Sequence, residues 1–250
     1  MKIKCTNAST CSVAADTDSS FLIYDYDGTT LSPITSKLYY DKTSTTKKLY
    51  SCDANGSCSV AADKTYHLST SNSNATADTI VTVASGTATP GVNGKYYYLT
   101  TTNSNESADA LFKITDDNGA ATKETVTGTD PKYYYLTGGN SGNSNLPDST
   151  NYLISVSAAG AVAKETSSAT KYYYLTATDS PLLTGDAVQL ISVDTSGAAK
   201  SPTEDTKYYY LTPTDSPILV SPTTQLISVT TEGAATQAPA LAYYLDSTNS

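Results

Sequence analysis

A tyrosine-rich hexapeptide that returns along the chain places the strongest constraint on its fold. The segment KYYYLT occupies residues 95–100, 132–137, 171–176 and 207–212. Its leucine aligns with two further copies, and consecutive leucines are 31, 37, 39, 36 and 34 residues apart at Leu68, Leu99, Leu136, Leu175, Leu211 and Leu245. A period in this range is typical of tandem-repeat proteins. We predict one array of about seven units over residues 1–250, with an irregular first unit that carries an insertion at about 12–48.

A second apolar segment lies between successive leucines. It reads LYSC at 49–52, LFKI at 111–114 and LISV at 153–156, 190–193 and 226–229, and a Gly-containing turn follows each copy. Val, Ile, Thr and Tyr favour strands, and no helical periodicity is present. We therefore predict two strong strands and a weaker third in each unit, with Thr-, Ser- and Pro-rich loops between them. In the first unit, SKLYYD at 36–41 is the degenerate tyrosine strand.

These units predict an all-β fold, arranged as an elongated β-solenoid of 31–39-residue repeats. One unit offers about four inward apolar side chains at about 2 kcal/mol each, which does not offset the entropy of ordering its backbone. Stacking on neighbours supplies the rest. The alternatives are a string of β-meander units or a closed propeller, although propeller blades usually need four strands.

The alternation of side chains along a strand assigns two faces to each tyrosine run. The positions that stay constant among copies are predicted to face the core: Tyr66, Leu68, Tyr97, Leu99, Tyr134, Leu136, Tyr173, Leu175, Tyr209, Leu211, Tyr243 and Leu245. The flanking tyrosines are predicted to point outward or toward a neighbouring layer: Tyr96, Tyr98, Tyr133, Tyr135, Tyr172, Tyr174, Tyr208 and Tyr210. This stripe has two functional interpretations, sugar stacking or packing on a partner chain, and a third in which it only stabilises the stack.

Four cysteines form two pairs with the same spacing, Cys5 with Cys11 and Cys52 with Cys58. Equal spacing and an even number favour two local disulfides over a four-sulfur metal site, where paired cysteines are usually closer in sequence. Disulfides indicate an oxidising, extracytoplasmic compartment. Cys52 aligns with Val156 of a later copy, and Cys58 aligns with Val162, so we expect the disulfide to occupy a core position.

Composition excludes several classes of function. The net charge is −9 and every basic residue is lysine, without the basic cluster that nucleic-acid binding needs. No apolar run is long enough to span a bilayer. The opening residues resemble the middle of a repeat and have no apolar signal sequence, so we expect a segment of a longer secreted chain.

No catalytic or metal-binding motif stands out. The single histidine, His67, occupies a repeat position that other copies fill with tyrosine, and we interpret it as a surface variant of that position. DYDGTT at 25–30 resembles a calcium loop but lacks the terminal glutamate, and the DANG and DDNG segments are better explained as turns. We expect no enzyme activity, no metal and no cofactor.

Asparagine sequons suggest glycosylation. Asn7, Asn74 and Asn105 are candidate acceptors, whereas Asn55 lies in a tight turn and is expected to be poorly used.

The segment LYSCDANGSCSVAADKTYHL at 49–68 runs a Cys-bearing strand through a Gly turn into a Tyr-x-Leu strand. It resembles the tandem repeats of the scaffoldin-like surface proteins of anaerobic gut fungi, which organise cellulosomes. The resemblance implies an extracellular or cell-surface, non-catalytic scaffold whose repeats dock enzyme-borne protein modules. The alternative function is a carbohydrate-binding or adhesive module that uses the outward tyrosines on a polysaccharide.

Overall fold

The described part of the chain is entirely β-structure and connecting segments. The computed structural model describes residues 3–7, 10–13, 21–26, 29–43, 45–142, 151–185, 187–202, 207–219, 224–230 and 234–237. Within these ranges no residue is helical, which confirms the predicted all-β class. None of them therefore forms a helix that could cross a bilayer.

The described residues form 23 short strands. Their bounds are β1 Ile3–Asn7, β2 Thr10–Val13, β3 Phe21–Leu22, β4 Tyr24–Tyr26, β5 Leu31–Pro33, β6 Leu38–Asp41, β7 Lys48–Cys52, β8 Ser57–Val60, β9 Lys64–Leu68, β10 Thr79–Ala84, β11 Thr87–Pro90, β12 Tyr96–Leu99, β13 Ala110–Ile114, β14 Ala121–Lys123, β15 Lys132–Leu136, β16 Tyr152–Val156, β17 Val162–Lys164, β18 Lys171–Leu175, β19 Gln189–Val193, β20 Ala199–Lys200, β21 Lys207–Leu211, β22 Gln225–Val229 and β23 Ala235–Gln237.

Each repeat is a three-stranded meander. A tyrosine strand lies at one edge, the second apolar segment forms the central strand, and a short third strand lies at the other edge. We number the repeats by their strands: repeat 1 is β6–β8, repeat 2 is β9–β11, repeat 3 is β12–β14, repeat 4 is β15–β17, repeat 5 is β18–β20 and repeat 6 is β21–β23. The predicted third strand and the tyrosine strand within 36–41 are both confirmed. Separate meanders are the units of the alternative architecture, the string of β-meander units. The elongated β-solenoid stays a prediction.

The insertion before repeat 1 contributes strands of its own. β3 pairs with β8 and adds a fourth strand to the sheet of repeat 1. β4 and β5 form a separate hairpin, and β1 pairs with β2 in another. Contacts divide the chain into two compact parts, residues 1–108 with 112–123 and residues 109–111 with 124–250.

The register of the central and third strands places the disulfide where we expected it. Cys52 lies opposite Cys58, in the pairing that Val156 and Val162 make in repeat 4. Cys52 and Cys58 are joined by a disulfide and both are buried. A disulfide that closes so short a loop stabilises by about 2–3 kcal/mol. Cys5 lies opposite Cys11 in the backbone register of β1 and β2, but their side chains lie outside the described residues.

Glycine makes the hairpin between the central and third strands possible. The turn glycine has positive φ in repeats 1, 3, 4 and 5, at Gly56, Gly119, Gly160 and Gly197. Residues with a Cβ rarely adopt this conformation, so a Gly at this place is a reliable hairpin signal. An Asp at the start of the turn accepts backbone hydrogen bonds, as Asp116 does from Asn118 at 2.9 Å and from Ala120 at 2.8 Å.

Within each compact part, sheets of neighbouring repeats pack face to face through apolar residues. In repeat 4, Leu153 and Ile154 point to opposite faces and both are fully buried. Leu153 belongs to one cluster with Tyr173 and Ile191 of repeat 5. The same layering joins repeat 1 to repeat 2 and repeat 5 to repeat 6. The sheet of repeat 5 therefore packs on repeat 4 through one face and on repeat 6 through the other.

Gly119 offers a direct test of close packing between repeats 2 and 3. A Cβ at Gly119 would lie 2.7 Å from the carbonyl oxygen of Ile80 and 2.9 Å from the nitrogen of Gly91, whereas a Cβ at Gly160 meets nothing within 4 Å. Both glycines have positive φ. We expect Gly160→Ala to cost about 1–2 kcal/mol of strain and Gly119→Ala to cost about 1–3 kcal/mol more, measured by urea denaturation. Equal losses in the two variants would contradict this close approach.

Candidate functional site

The constant residues of the tyrosine strands lie in the core as predicted. Tyr66, Tyr97, Tyr134, Tyr173, Leu68, Leu99, Leu136, Leu175 and Leu211 are all buried, and Tyr209 is half-buried. Tyr243 and Leu245 lie outside the described residues. The predicted core positions are therefore buried or half-buried wherever the structure describes them, and in repeat 3 the flanking Tyr96 and Tyr98 are buried as well.

The flanking tyrosines do not form a solvent-exposed stripe. Tyr96, Tyr98 and Tyr133 are buried, Tyr135, Tyr172, Tyr174 and Tyr208 are half-buried, and Tyr210 is 58% exposed. An open aromatic stripe is therefore wrong for this part of the chain. In repeats 4 and 5 the physical reason is that the next sheet covers this face, which is the neighbouring layer that the sequence analysis allowed.

Tyrosine rings of adjacent repeats pack against each other where two sheets meet. The ring of Tyr133 lies 5.5 Å from that of Tyr173, and the ring of Tyr172 lies 5.4 Å from that of Tyr209, both in tilted geometry. Each pair joins a flanking tyrosine of one repeat to the core tyrosine of the next. Such aromatic pairs contribute about 0.5–1.5 kcal/mol beyond the area they bury.

The hydroxyl group explains why the core aromatic residue is tyrosine rather than phenylalanine. Tyr134 donates to Glu124 at 2.8 Å and Tyr173 donates to Glu165 at 2.7 Å. In repeat 2 the hydroxyl of Tyr66 donates to a backbone carbonyl instead. In all three cases the acceptor lies shortly before the tyrosine strand, in the segment that follows the preceding third strand. The tyrosine hydroxyl thus has a hydrogen-bond acceptor while the ring packs in the core.

The segment after each tyrosine strand is an ordered turn, which we name the junction turn. It has the pattern Leu, Ser or Thr, two variable residues, Asn or Asp, and Ser, and it occupies residues 68–73, 99–104, 136–141, 175–180 and 211–216. The Asn or Asp side chain caps the turn, as in the bond from the backbone N–H of Thr176 to Asp179 Oδ2 at 2.9 Å. The serine of the pattern is buried at Ser73, Ser104, Ser180 and Ser216.

In four of the junction turns the backbone carbonyl of the Asn or Asp accepts a hydrogen bond from the edge of the preceding tyrosine strand. The backbone N–H of Tyr133 donates to the carbonyl of Asp179 at 2.8 Å, and that of Tyr172 donates to Asp215 at 2.9 Å. Leu38 makes the corresponding bond to Asn72 at 2.8 Å. A turn of one repeat therefore takes the place of a further strand on the sheet of the previous repeat. This covers an edge that would otherwise pair with other chains.

The lysine that opens the tyrosine strand reaches the same turn. Lys64 donates to the carbonyl of Ser104 at 3.0 Å, and Lys132 and Lys171 donate to the carbonyls of Thr178 and Thr214. Charged donors make stronger hydrogen bonds than neutral ones. In repeats 4 and 5 the junction explains five of the six residues of KYYYLT: lysine and the first tyrosine bind the next repeat, the second tyrosine and leucine fill the core, and threonine begins the turn.

Two predicted glycan acceptors participate in junctions. Asn74 and Asn105 each follow a junction turn, and each side-chain amide bonds both the N–H and the C=O of one residue in the preceding tyrosine strand. The residue bound is Tyr40 for Asn74 and His67 for Asn105. Each amide thus forms the two hydrogen bonds that a backbone residue of a neighbouring strand would form. The side chain of Asn7 lies outside the described residues.

His67 is a junction residue rather than a surface variant. Its side chain is 15% exposed, its Nδ1 lies 2.7 Å from Glu106 Oε1, and its Nε2 lies 3.2 Å from Asp78 Oδ1. The ring packs on Phe112 with 4.4 Å between centroids. The repeat position was predicted correctly, but its exposure was not, because the turn of repeat 3 covers it.

The structure assigns the acidic turn segments to hairpins. Asp53 Oδ1 accepts from the backbone N–H of Asn55 and of Ser57, which explains the DANG segment as a turn. A hydrogen bond from the hydroxyl of Ser196 is the largest cause that lowers the pKa of the Asp194 carboxyl in the equivalent turn of repeat 5. Among the described residues no group of three or more His, Cys, Asp or Glu side chains is arranged to hold a metal ion. DYDGTT includes residues outside the described ranges.

Comparison with known proteins gives no family assignment. No protein-family model, curated protein or solved structure matches the chain.

Asp179 tests whether the junction turn holds the preceding strand edge. Asp179→Ala removes the acceptor for the Thr176 N–H at 2.9 Å and for its hydroxyl at 2.6 Å, and we expect a loss of about 1–2 kcal/mol. Asp179→Asn is the matched control, because Asn140 caps the turn of repeat 4 in the same way. Amide hydrogen exchange of Tyr133 should become faster in the Ala variant and stay unchanged in the Asn variant. Unchanged exchange in both would refute the proposed role of the turn.

Alkaline pH tests the buried phenol of Tyr133. Burial, with the carboxylates of Glu165 and Asp179, raises the pKa of Tyr133 from 10.0 to about 12. Because the folded chain keeps this proton when the unfolded chain has lost it, the stability from the neutral phenol is complete below pH 10 and is lost between pH 10 and about 12. We expect Tyr133→Phe to resist alkaline unfolding better than the unmodified chain, as monitored by circular dichroism.

The control for the alkaline experiment is Tyr210→Phe, because that ring is 58% exposed. It should follow the profile of the unmodified chain. If Tyr133→Phe and Tyr210→Phe give the same midpoint, burial of Tyr133 does not limit alkaline stability.

Proposed function

We propose that the chain is an extracellular, non-catalytic structural scaffold whose stacked repeats present a repeated docking surface to partner proteins. The proposal rests on the contacts that the chain's most distinctive residues make. The first tyrosine of the run and the opening lysine bind the next repeat, and the junction turn binds the preceding one. Residues that join one repeat to another indicate a chain that was selected to form an array.

The proposal includes the predicted solenoid. Within each compact part, one sheet packs face to face on the next and the same junction recurs. A junction that recurs with the same contacts places each repeat on the previous one in the same way. Solenoids are built by this kind of repetition.

The hairpin turns between central and third strands are the best candidate for the docking surface. The two middle residues of each turn are exposed in repeats 1, 3, 4 and 5, at Ala54 and Asn55, Asp117 and Asn118, Ala158 and Ala159, and Thr195 and Ser196. The same backbone conformation is therefore displayed with different side chains from repeat to repeat. Repeated sites of modest affinity gain overall affinity through multivalency.

The resemblance to scaffoldin-like repeats suggests which partners would dock. Segment 49–68 carries that resemblance, and the partners it implies are protein modules attached to secreted enzymes. The disulfide between Cys52 and Cys58 supports an oxidising, extracellular setting.

The carbohydrate-binding alternative has less support, because a platform for sugar rings needs exposed aromatic faces. Of the eight flanking tyrosines, Tyr210 alone is exposed, and single exposed aromatics are common on protein surfaces. We keep this alternative as an outcome of the test.

Binding to the immobilised full chain tests the proposal. The analytes are docking modules of secreted polysaccharide-degrading enzymes and, separately, soluble fragments of insoluble polysaccharides. We expect saturable binding of a protein module with more than one site per chain. Substituting Asp117 and Asn118 by Lys should reduce the number of sites while leaving the affinity of the remaining sites unchanged, because each repeat binds independently.

Two outcomes would decide against the proposal. Polysaccharide binding that Tyr210→Ala abolishes would favour the adhesive alternative. Absence of binding to every protein module tested would leave a purely structural array without a docking role.

A further inference from the structure

The amides of Asn74 and Asn105 are held in a geometry that a glycan cannot share. In Asn105, Oδ1 accepts from the backbone N–H of His67 at 2.7 Å, while Nδ2 donates to the carbonyl of the same residue at 2.8 Å. In Asn74 the corresponding distances to Tyr40 are 2.7 and 3.2 Å. Both bonds of each pair leave from one edge of the amide, so the donated hydrogen is the one on the same side as Oδ1.

Amide stereochemistry makes this hydrogen the position of attachment. A planar secondary amide in the trans form keeps its N-substituent on the same side as its oxygen and its remaining hydrogen on the opposite side. A sugar on Nδ2 of Asn105 would therefore replace the hydrogen that binds the carbonyl of His67. The sugar would also meet the backbone of the tyrosine strand, and the carbonyl would lose its donor.

Asn55 occupies a different environment. It lies in the hairpin turn between β7 and β8, at the tip that Gly56 forms with positive φ. The residue is exposed, and the hydrogen bond described for it uses its backbone N–H, which donates to Asp53 Oδ1 at 2.8 Å. Within the described part of the chain no contact of its side-chain amide is seen, so a substituent on Nδ2 extends into solvent.

We propose that Asn55 is an acceptor of an N-linked glycan, which takes the turn of repeat 1 out of the docking surface, and that Asn74 and Asn105 must stay unmodified for the repeats to assemble. This reverses the sequence-based expectation that Asn55 is the poorest of these sites. The inference rests on the extracellular setting of the proposed function, because the transfer takes place in the secretory pathway.

The covalent step needs a lipid-linked oligosaccharide diphosphate as donor. The bond between C1 of the first sugar and the diphosphate oxygen breaks, and the bond between C1 and Nδ2 of Asn55 forms. The lipid diphosphate leaves, and the Nδ2 proton passes to a base of the transferring enzyme. Modification precedes completion of the fold, so the tight turn around Asn55 does not prevent it.

The first experiment measures occupancy in the full chain secreted from a eukaryotic host. Glycans are released enzymatically in ¹⁸O water, which converts an occupied Asn to labelled Asp, and peptides are read by mass spectrometry. We expect label at Asn55 and none at Asn74 or Asn105 in the secreted, folded fraction. An unlabelled Asn55, or label at Asn105 in protein that melts like the unglycosylated chain, would overturn the proposal. No docking partner is present, so this failure is distinct from failure of the scaffold function.

The second experiment tests the amide geometry without any glycan, in oxidised full chain made in bacteria. Asn105→Asp and Asn74→Asp replace the donating Nδ2 by an oxygen that faces a backbone carbonyl, whereas Asn55→Asp is the matched control. We expect a lower urea midpoint for the first two variants and an unchanged midpoint for the control. Asn105→Asp with the midpoint of the unmodified chain would show that the amide edge is dispensable and would refute the argument against modification there.

Discussion

The need to cover two apolar faces of a narrow sheet governs this structure. In repeat 4, three short strands place Leu153 on one face of the sheet and Ile154 on the other, and both residues are buried. Neither face alone encloses a core. The next sheet covers the flanking tyrosines of the preceding one, so Tyr133 of one repeat packs on Tyr173 of the next. Apolar packing therefore joins the sheets of neighbouring repeats within each compact part.

The junction turn solves the second problem of such a sheet, which is its open edge. Carbonyl groups of the turn accept from the backbone of the preceding tyrosine strand, and the opening lysine adds a charged donor. In the early repeats Asn74 and Asn105 extend the contact with their side-chain amides. Pro181 and Pro217 stand at the corresponding places of repeats 5 and 6, and proline has no side-chain donor or acceptor. The early junctions are thus more polar than the later ones.

Internal comparison of the copies predicted the repeat, the strand class, the core positions and the equivalence of Cys52 with Val156. These features depend on local sequence and on the alternation of side chains, which the printed residues contain. The same comparison contained the signal for the junction turn, because Asn or Asp followed by Ser recurs four residues after each aligned leucine. The sequence-based prediction assigns these residues to loops. The burial of Tyr133 and His67 is not predictable in this way, because a single repeat does not indicate which of its faces another repeat will cover.

The sequence by itself determined that the chain forms repeated antiparallel meanders, since strand propensity, turn glycines and alternation act over a few residues. Only the tertiary structure decided that the flanking tyrosines are mostly interior and that two sequon amides are part of the backbone hydrogen bonding. The physical reason is distance along the chain. Tyr133 and Asp179, or His67 and Asn105, are about forty residues apart, and their contact exists only after neighbouring sheets have packed together.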